Sequence, residues 1–165
     1  MLATLKIIAI VAAALIVVVL LAGRLGLFAG KAPANLGVRD GRLKPPSKTP
    51  NSVSSQAALW PDAPQREAAQ IAPLSLVEGG GAATIARLKL TVESRPGAKV
   101  VETRTDYLRV QFTTRLMGYT DDAEFWFDPA ALVVQVRSAS RVGRKDFDVN
   151  RARIEAIRAR LLKAA

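Results

Sequence analysis

The sequence predicts an α+β fold: a twisted antiparallel sheet of about four to five strands with two helices on one face, preceded by a single N-terminal transmembrane helix. An uninterrupted apolar run from Ile7 to Gly23 predicts the transmembrane helix. Apolar and polar residues alternate in several segments between residues 99 and 138, which is typical of antiparallel strands with one buried face. Two other segments space their apolar residues along one helical face.

The apolar run predicts a membrane anchor over residues 1–28. As a helix, its seventeen uncharged residues span about 25 Å, slightly less than a hydrocarbon core of about 30 Å. Lys6 and Arg24 close the gap, because their long side chains reach the headgroups. A cleavable signal peptide is the alternative. Ala32-Pro33-Ala34, the nearest small-residue pair, is a poor cleavage site because a proline lies inside it and basic residues precede it, so we expect the anchor to remain uncleaved.

A proline-rich segment, residues 29–70, follows the anchor and predicts an extended tether, because proline removes a backbone donor and interrupts regular elements. Six of the nine prolines lie in it, namely Pro33, Pro45, Pro46, Pro50, Pro61 and Pro64. We expect the tether to be partly docked on the domain that follows, with Trp60 as the buried anchor of that contact.

The α+β domain is predicted at residues 71–165. It begins with a short strand, Ile71 to Val77, and a helix, Ala82 to Ser94. A last helix, Val149 to Leu162, has Asp148 as its N-cap residue. Between the two helices the alternation predicts four further strands, at residues 99–104, 107–115, 122–127 and 132–138. The predicted order is therefore β-α-β-β-β-β-α.

The composition excludes several chemistries. The chain has no Cys and no His, so it cannot form a thiol nucleophile, a disulfide, a Ser-His-Asp triad or a zinc site built on those residues. The net charge of +10 is dispersed among acidic residues, whereas nucleic-acid interfaces are usually clustered patches. Beside a membrane anchor, excess basic residues indicate attraction to anionic headgroups, at about 1 kcal/mol per residue. We expect the membrane as a partner, and no nucleic acid.

The connection between the last strand and the last helix has the densest set of binding groups. Arg137 and Arg141 present planar forks suited to a carboxylate or a phosphate, and the start of a helix follows, where backbone N–H groups favour an anion. Strand alternation places further polar residues nearby, on the polar face of the sheet. The predicted ligand-binding set comprises Arg115, Asp121, Asp122, Glu124, Arg137, Ser138, Ser140, Arg141, Asp146, Asn150 and Arg151.

Three interpretations of this set remain open: ion pairing within the fold, binding of a ligand or partner, and catalysis by carboxylates. Arginine and aspartate interleaved across strands usually form cross-strand ion pairs, so structural pairing is the leading interpretation. Alternation places Asp121 and Asp122 on opposite faces, which argues against a metal site. No arrangement of nucleophile and base is present, so we predict no catalytic residue and no cofactor.

Two groups of residues carry a resemblance to a known family. The first is Arg115, Gly118, Asp121, Asp122, Glu124 and Phe125. The second follows the pattern R-S-A-S-R-x-G-x-x-D-x-x-x-N-R from Arg137 to Arg151. Over residues 35–163 the chain resembles a bacterial and plastid family known only as a domain of unknown function, number fourteen ninety-nine. Members often have a cysteine where this chain has Ser52, so no thiol role transfers. The resemblance implies a membrane-tethered or exported domain.

We therefore predict a membrane-anchored, non-enzymatic accessory domain of the cell envelope that binds a partner protein or an anionic ligand such as a lipid headgroup. The alternatives are a carboxylate-based enzyme that uses Asp121, Asp122 or Glu124 as acid or base, and a purely structural scaffold. The basic residues after the anchor favour a cytoplasmic domain. Since the resemblance implies an exported domain, we expect the domain on the extracytoplasmic side of a single-pass membrane protein.

Overall fold

A computed structural model describes residues 1–163 of the chain. A long helix is followed by a region with little regular structure, and then by a helix, four consecutive strands and a final helix. The elements are α1 (Leu2–Arg24), β1 (Ser52–Ser54), the single-turn helix α2 (Arg66–Ala69), α3 (Gly80–Glu93), β2 (Ala98–Thr103), β3 (Tyr107–Thr113), β4 (Thr120–Asp128), β5 (Val133–Ser140) and α4 (Val149–Lys163).

The sheet is an antiparallel, five-stranded sheet with the strand order β1-β5-β4-β3-β2. Strands β2 to β5 are neighbours in sequence and in space, as expected for alternating segments joined by short turns. The predicted α+β class, with an apolar helix at the N-terminus, is confirmed.

The hydrophobic core lies between one face of the sheet and the two long helices of the domain. Every second residue of β3 points into it, and α3 and α4 each contribute one apolar face, as predicted from their spacing. The fully or almost fully buried side chains include Leu108, Val110, Phe125, Val136, Ile85, Leu88, Val92, Ile154, Ile157 and Leu161. Both helices therefore cover the same face of the sheet, as a layered α+β fold requires.

The predicted first strand, Ile71 to Val77, is wrong. The chain is extended there but forms a single bridge, between Leu74 and Val134. Pro73 lacks a backbone N–H, and the carbonyl oxygens of Ala72 and Pro73 accept hydrogen bonds from Arg158 of α4 instead of from a strand. The position beside β5 is occupied by β1. Its sequence, Ser-Val-Ser, is too short for its polar–apolar alternation to predict a strand.

The other face of the sheet is covered by residues 35–50, which precede β1 and are here called the cover segment. Its Leu43 is fully buried against Tyr107 and Trp126 of the sheet. Gln56, also buried, accepts a hydrogen bond from the Leu43 amide at 2.8 Å through Oε1 and donates one to the carbonyl of residue 41 at 3.0 Å through Nε2. The expected anchor, Trp60, is only half-buried, because it lies at the margin, beneath the guanidinium of Arg42.

Helix α1 is long and apolar enough to cross a membrane, a property that N-terminal signal sequences share. None of its apolar window is buried by the rest of the chain, but its last turn contacts the domain. Gly23 lies against the backbone of residues 117–118: a Cβ atom added to Gly23 would lie 2.8 Å from the Met117 carbonyl oxygen. The Phe28 and Tyr119 rings stand 6.0 Å apart. The loop between β3 and β4 therefore lies at the end of α1.

The close approach of α3 to the sheet generates a prediction about Gly81. Replacing glycine by alanine inside a helix ordinarily stabilises a protein by about 0.5–1 kcal/mol. At Gly81 an added Cβ would lie 2.3 Å from the Phe127 ring, so we expect Gly81→Ala to destabilise the full-length chain by about 1–3 kcal/mol. The measurement is chemical unfolding in detergent micelles. The matched control is Leu90→Ala on the exposed side of α3, and a stabilised Gly81→Ala protein would contradict the packing described.

Candidate functional site

The residues of the predicted ligand-binding set lie in two separate places. Arg115 is exposed in the loop between β3 and β4. The other residues bond to groups of the chain itself, and most of their side chains are buried or half-buried. Together with Arg153 of α4 they form what is called here the polar network: Asp121, Asp122, Glu124, Arg137, Ser138, Ser140, Arg141, Asp146, Asn150, Arg151 and Arg153.

Glu124 and Arg137 form a buried pair beneath the cover segment. Glu124 is fully buried, and its Oε1 accepts hydrogen bonds from the Tyr107 hydroxyl at 2.8 Å and from the Gly37 amide at 2.6 Å. Arg137 Nη1 stands 3.8 Å from Glu124 Oε2, and its Nε donates to the Pro45 carbonyl at 3.2 Å. Burial lowers the pKa of Arg137, an effect that the Glu124 carboxylate opposes. The pair thus binds two points of the cover segment to the sheet.

Asp122 and Arg141 form a bidentate ion pair on the same face of the sheet. The Arg141 guanidinium donates through Nε at 2.7 Å and through Nη2 at 2.9 Å to the two oxygens of Asp122, both side chains being largely buried. The hydrogen bonds to Asp122 raise the pKa of Arg141 despite its partial burial. The pair holds the start of the β5–α4 loop, residues 141–148, against β4.

Asn150 joins the loop, the sheet and the helix on the core side. Its side-chain nitrogen Nδ2 donates to Ser140 Oγ at 3.1 Å, to Asp146 Oδ2 at 2.7 Å and to the Asn51 carbonyl at 3.2 Å, while the Ser138 hydroxyl donates to its side-chain oxygen Oδ1.

The first turn of α4 is capped by Asp146, whose carboxylate accepts a hydrogen bond from the backbone N–H of Asn150 at 3.1 Å. Asp148 occupies the N-cap position, as predicted, and its carbonyl oxygen accepts a hydrogen bond from the Ala152 backbone N–H at 2.9 Å, but the side chain that caps the turn is that of Asp146.

Two further arginines of α4 complete the polar network. Arg153 donates to Asp121 and to Asn150, and it stacks over the Phe112 ring at 4.6 Å. Arg151 donates to the carbonyl oxygens of Gln70 and Ala68 at 2.9 and 2.8 Å. Its fork is thus occupied by main-chain acceptors.

The acidic residues of β4 are separated by strand alternation, as predicted. Asp121 faces α4 and pairs with Arg153, whereas Asp122 and Glu124 face the cover segment. Within residues 1–163, no group of three or more acidic side chains is arranged to hold a metal ion. In this structure each of the three carboxylates lies beside an arginine of the chain.

A different region presents basic side chains without acidic partners. Between the end of α1, the β3–β4 loop and the start of α4 lies an open cleft of about 990 Å³, here called the arginine cleft. Its lining includes four arginines and no Asp or Glu. The arginines are Arg24, Arg95, Arg115 and Arg153.

The electrostatics of the arginine cleft favour an anion. Among residues 1–163, Arg24, Arg95 and Arg115 form no ion pair, whereas Arg153 is held by Asp121 at the back wall. Burial, with the nearby charges of Arg160 and Arg153, lowers the pKa of Arg95. Burial is the largest cause of this lowering, and the two neighbouring arginines add to it.

Of the predicted set, only Arg115 lines the arginine cleft, together with Arg24, Arg95 and Arg153, which the set lacked. These arginines come from the end of a helix, a turn, a loop and another helix. Their separations along the chain follow no repeating period. Arg115 and Arg95 each adjoin the end of a predicted strand or helix, but nothing in the sequence indicates that these ends meet.

The polar network generates a prediction about Arg141. Removing one member of a buried ion pair leaves the other charged and unpaired, so we expect Arg141→Ala to destabilise the full-length chain by about 3–5 kcal/mol. Chemical unfolding in detergent, followed by tryptophan fluorescence, measures the change. Arg144→Ala removes an exposed arginine from the same loop and is the matched control, expected within about 0.5 kcal/mol of wild type. Equal effects of the two substitutions would contradict a structural role for the pair.

The buried Tyr107 generates a prediction about alkaline pH. Burial and the neighbouring Glu124 carboxylate raise the pKa of Tyr107 well above the unfolded-state value of about 10. The corresponding stabilisation is therefore present below pH 10 and is lost as the pH rises above it. In a Tyr119→Phe variant, Tyr107 is the sole tyrosine, and we expect phenolate absorbance to appear only when the chain unfolds. A phenolate signal near pH 10 from a folded protein would contradict this.

Comparison with known families gives one result. A family model described as a protein of unknown function (DUF1499) matches residues 42–161, which confirms the resemblance seen in the sequence. The match spans the end of the cover segment, the sheet and both long helices of the domain, and leaves out α1. No curated protein and no solved structure matches the chain. The chain belongs to the DUF1499 family of proteins of unknown function.

Proposed function

We propose that this protein is a membrane-anchored, non-enzymatic domain that binds a phosphate-bearing anion, in the first place the headgroup of an anionic lipid, in the arginine cleft. The observation that carries the proposal is the composition of that cleft. Three arginines without an ion-pair partner in residues 1–163 surround an open space, and none of its lining residues is acidic. An arginine fork matches the geometry of a phosphate and carries its charge at all physiological pH values.

The position of the arginine cleft supports a headgroup as the ligand. Gly23 and Arg24, the last residues of the apolar helix α1, belong to its lining. If α1 crosses a bilayer, these residues lie where the hydrocarbon core meets the headgroup layer. The cleft then opens at the depth of the lipid phosphates, where each basic residue contributes about 1 kcal/mol of attraction to an anionic surface.

The polar network supports a structural role for most of the predicted ligand-binding set. Asp121, Asp122 and Glu124, the acid or base candidates of the enzyme alternative, are each at most 6 % exposed and are already bonded within the chain. An acid or base needs access to a substrate, and these carboxylates lie beneath the cover segment, against the β5–α4 loop or against α4. A binding function through the arginine cleft therefore has more support than catalysis.

The orientation of the domain is part of the proposal. We propose that α1 remains attached as a signal anchor and that the domain lies on the extracytoplasmic side, in the cell envelope. Because the chain has no cysteine, a Leu132→Cys variant provides a single exposed thiol on the domain. We expect a membrane-impermeant maleimide to label it in intact cells. Labelling only after lysis would place the domain in the cytoplasm.

The ligand proposal is tested by native mass spectrometry of the full-length chain in detergent, titrated with a short-chain phosphatidic acid. The triple variant Arg24→Gln, Arg95→Gln, Arg115→Gln is expected to weaken binding about 100-fold, which corresponds to about 1 kcal/mol for each of three charges. Lys48→Gln, Arg66→Gln, Arg87→Gln removes the same charge from outside the cleft and is the matched control. We expect this control to bind like the wild type.

Two further titrations identify the source of the phosphate. Phosphatidylcholine is expected to bind more weakly than phosphatidic acid, because its headgroup is zwitterionic. Inorganic phosphate that binds as tightly as the lipid would indicate a soluble anion as the ligand. An equal loss of binding in the two triple variants would show that net charge, and not the cleft, causes the binding, and would overturn the proposal.

A further inference from the structure

Exposed apolar side chains gather around the end of α1. Phe147, in the β5–α4 loop, is 88 % exposed, and Leu116, in the β3–β4 loop, is 64 % exposed. Large apolar side chains are normally buried, so a group of them on one side of a domain indicates an interaction surface. The full set, called here the apolar rim, is Leu25, Leu27, Leu116, Tyr119, Val142, Phe147 and Val149.

Contacts of the described chain show that these residues belong to one region. The last turn of α1 touches the β3–β4 loop through Gly23, and the Phe28 ring faces Tyr119. The chain then passes the β5–α4 loop, because a Cβ atom on Gly30 would lie 2.6 Å from the Val142 side chain. Val149 lines the arginine cleft together with the last residues of α1. The two loops and the chain after α1 are therefore neighbours.

The backbone is strained at Phe147, the most exposed residue of the apolar rim. Phe147 and Asp148 have φ angles of +51° and +62°, a left-handed conformation that residues with a side chain rarely adopt. Asp146, immediately before them, is held by Asn150, so the loop is fixed at its base. Such strain persists only where surrounding contacts enforce it, and it commonly marks a functional segment. Here the strained segment carries an aromatic ring that is 88 % exposed.

We infer that the apolar rim is a membrane-docking surface, whose side chains enter the bilayer that α1 crosses. The inference rests on α1 remaining as an anchor, which belongs to the proposed function, but it does not require the arginine cleft to bind a headgroup. Because the end of α1 contacts both loops directly or through the next few residues, the loops cannot move far from the bilayer surface. In segments that lie in the membrane interface, the apolar side chains are buried about 5–10 Å into the boundary between headgroups and acyl chains.

The charges around the apolar rim suit a lipid surface. Arg144 and Lys145 lie three and two residues before Phe147, Arg115 precedes Leu116, and all three are exposed. Two acidic residues also adjoin Phe147: Asp146, whose carboxylate caps α4, and the exposed Asp148. Apolar side chains flanked by basic residues are typical of segments that lie in the membrane interface, where the cation stays with the phosphates. A bilayer thus matches both the apolar residues and the cations beside them.

The absence of cysteine makes a direct test possible. Full-length Phe147→Cys and Leu116→Cys variants, each carrying one nitroxide spin label, are reconstituted in nanodiscs of phosphatidylcholine. The matched control is Leu132→Cys, which is also 64 % exposed but follows the far end of β4, about 30 Å along a nine-residue strand from Thr120. Collision of each label with oxygen and with a water-soluble nickel complex is measured by electron paramagnetic resonance.

We expect the labels at residues 147 and 116 to collide more with oxygen than with nickel, as labels inside a bilayer do, and the label at 132 to show the reverse. Nickel-favoured collisions at all three positions would overturn the inference. Immobile labels shielded from both reagents would show that a protein surface, such as a second copy of the chain, covers the apolar rim, and would also overturn it. Because the lipid is zwitterionic, a failure of phosphatidic acid to bind the arginine cleft leaves this result unaffected.

Discussion

The arrangement of this domain depends on three carboxylates that strand β4 buries. Asp121, Asp122 and Glu124 are each at most 6 % exposed, and a buried carboxylate costs several kcal/mol unless a cation and hydrogen bonds accompany it. Each therefore requires an arginine from another part of the chain. Arg153 brings α4 to one face of the sheet. On the opposite face, Arg141 holds the loop that leads to α4, and Glu124 secures the cover segment through a backbone amide, beside Arg137.

This requirement also explains which cations remain available for a ligand. The arginines with the most conspicuous sequence pattern are those that the buried carboxylates and main-chain carbonyls of the fold occupy. The arginines of the cleft, apart from Arg153, lie outside the polar network and form no ion pair among residues 1–163. The arginines of the Arg-Ser-Ala-Ser-Arg pattern, residues 137–141, thus bind groups within the fold. Ligand binding is proposed instead for arginines that belong to no common motif. The position of the cleft and of the apolar rim at the end of α1 is consistent with a domain that works at a membrane surface.

Most regular elements were predictable because local patterns determine them. Strands β3 to β5 alternate clearly enough to reveal their buried face, and α3 and α4 repeat apolar residues at helical spacing. The predicted strand at residues 71–77 failed because only Leu74 bridges β5, while Arg158 binds the carbonyl oxygens of Ala72 and Pro73. Trp60, the predicted buried anchor of the tether, is only half-buried. Within the cover segment it is the smaller Leu43 that is fully buried, against Tyr107 and Trp126 of the sheet.

The sequence by itself determined the α+β class, the apolar helix, the order of the four consecutive strands and the chemistries that a chain without Cys and His cannot perform. These properties follow from composition and from periods of two or 3.6 residues, which act over neighbouring positions. Only the tertiary structure decided which charges are paired and which are free. Ion pairing depends on distances between residues far apart in the chain, as between Asp121 and Arg153 or among the arginines of the cleft. No local period encodes such distances, because packing of the elements sets them.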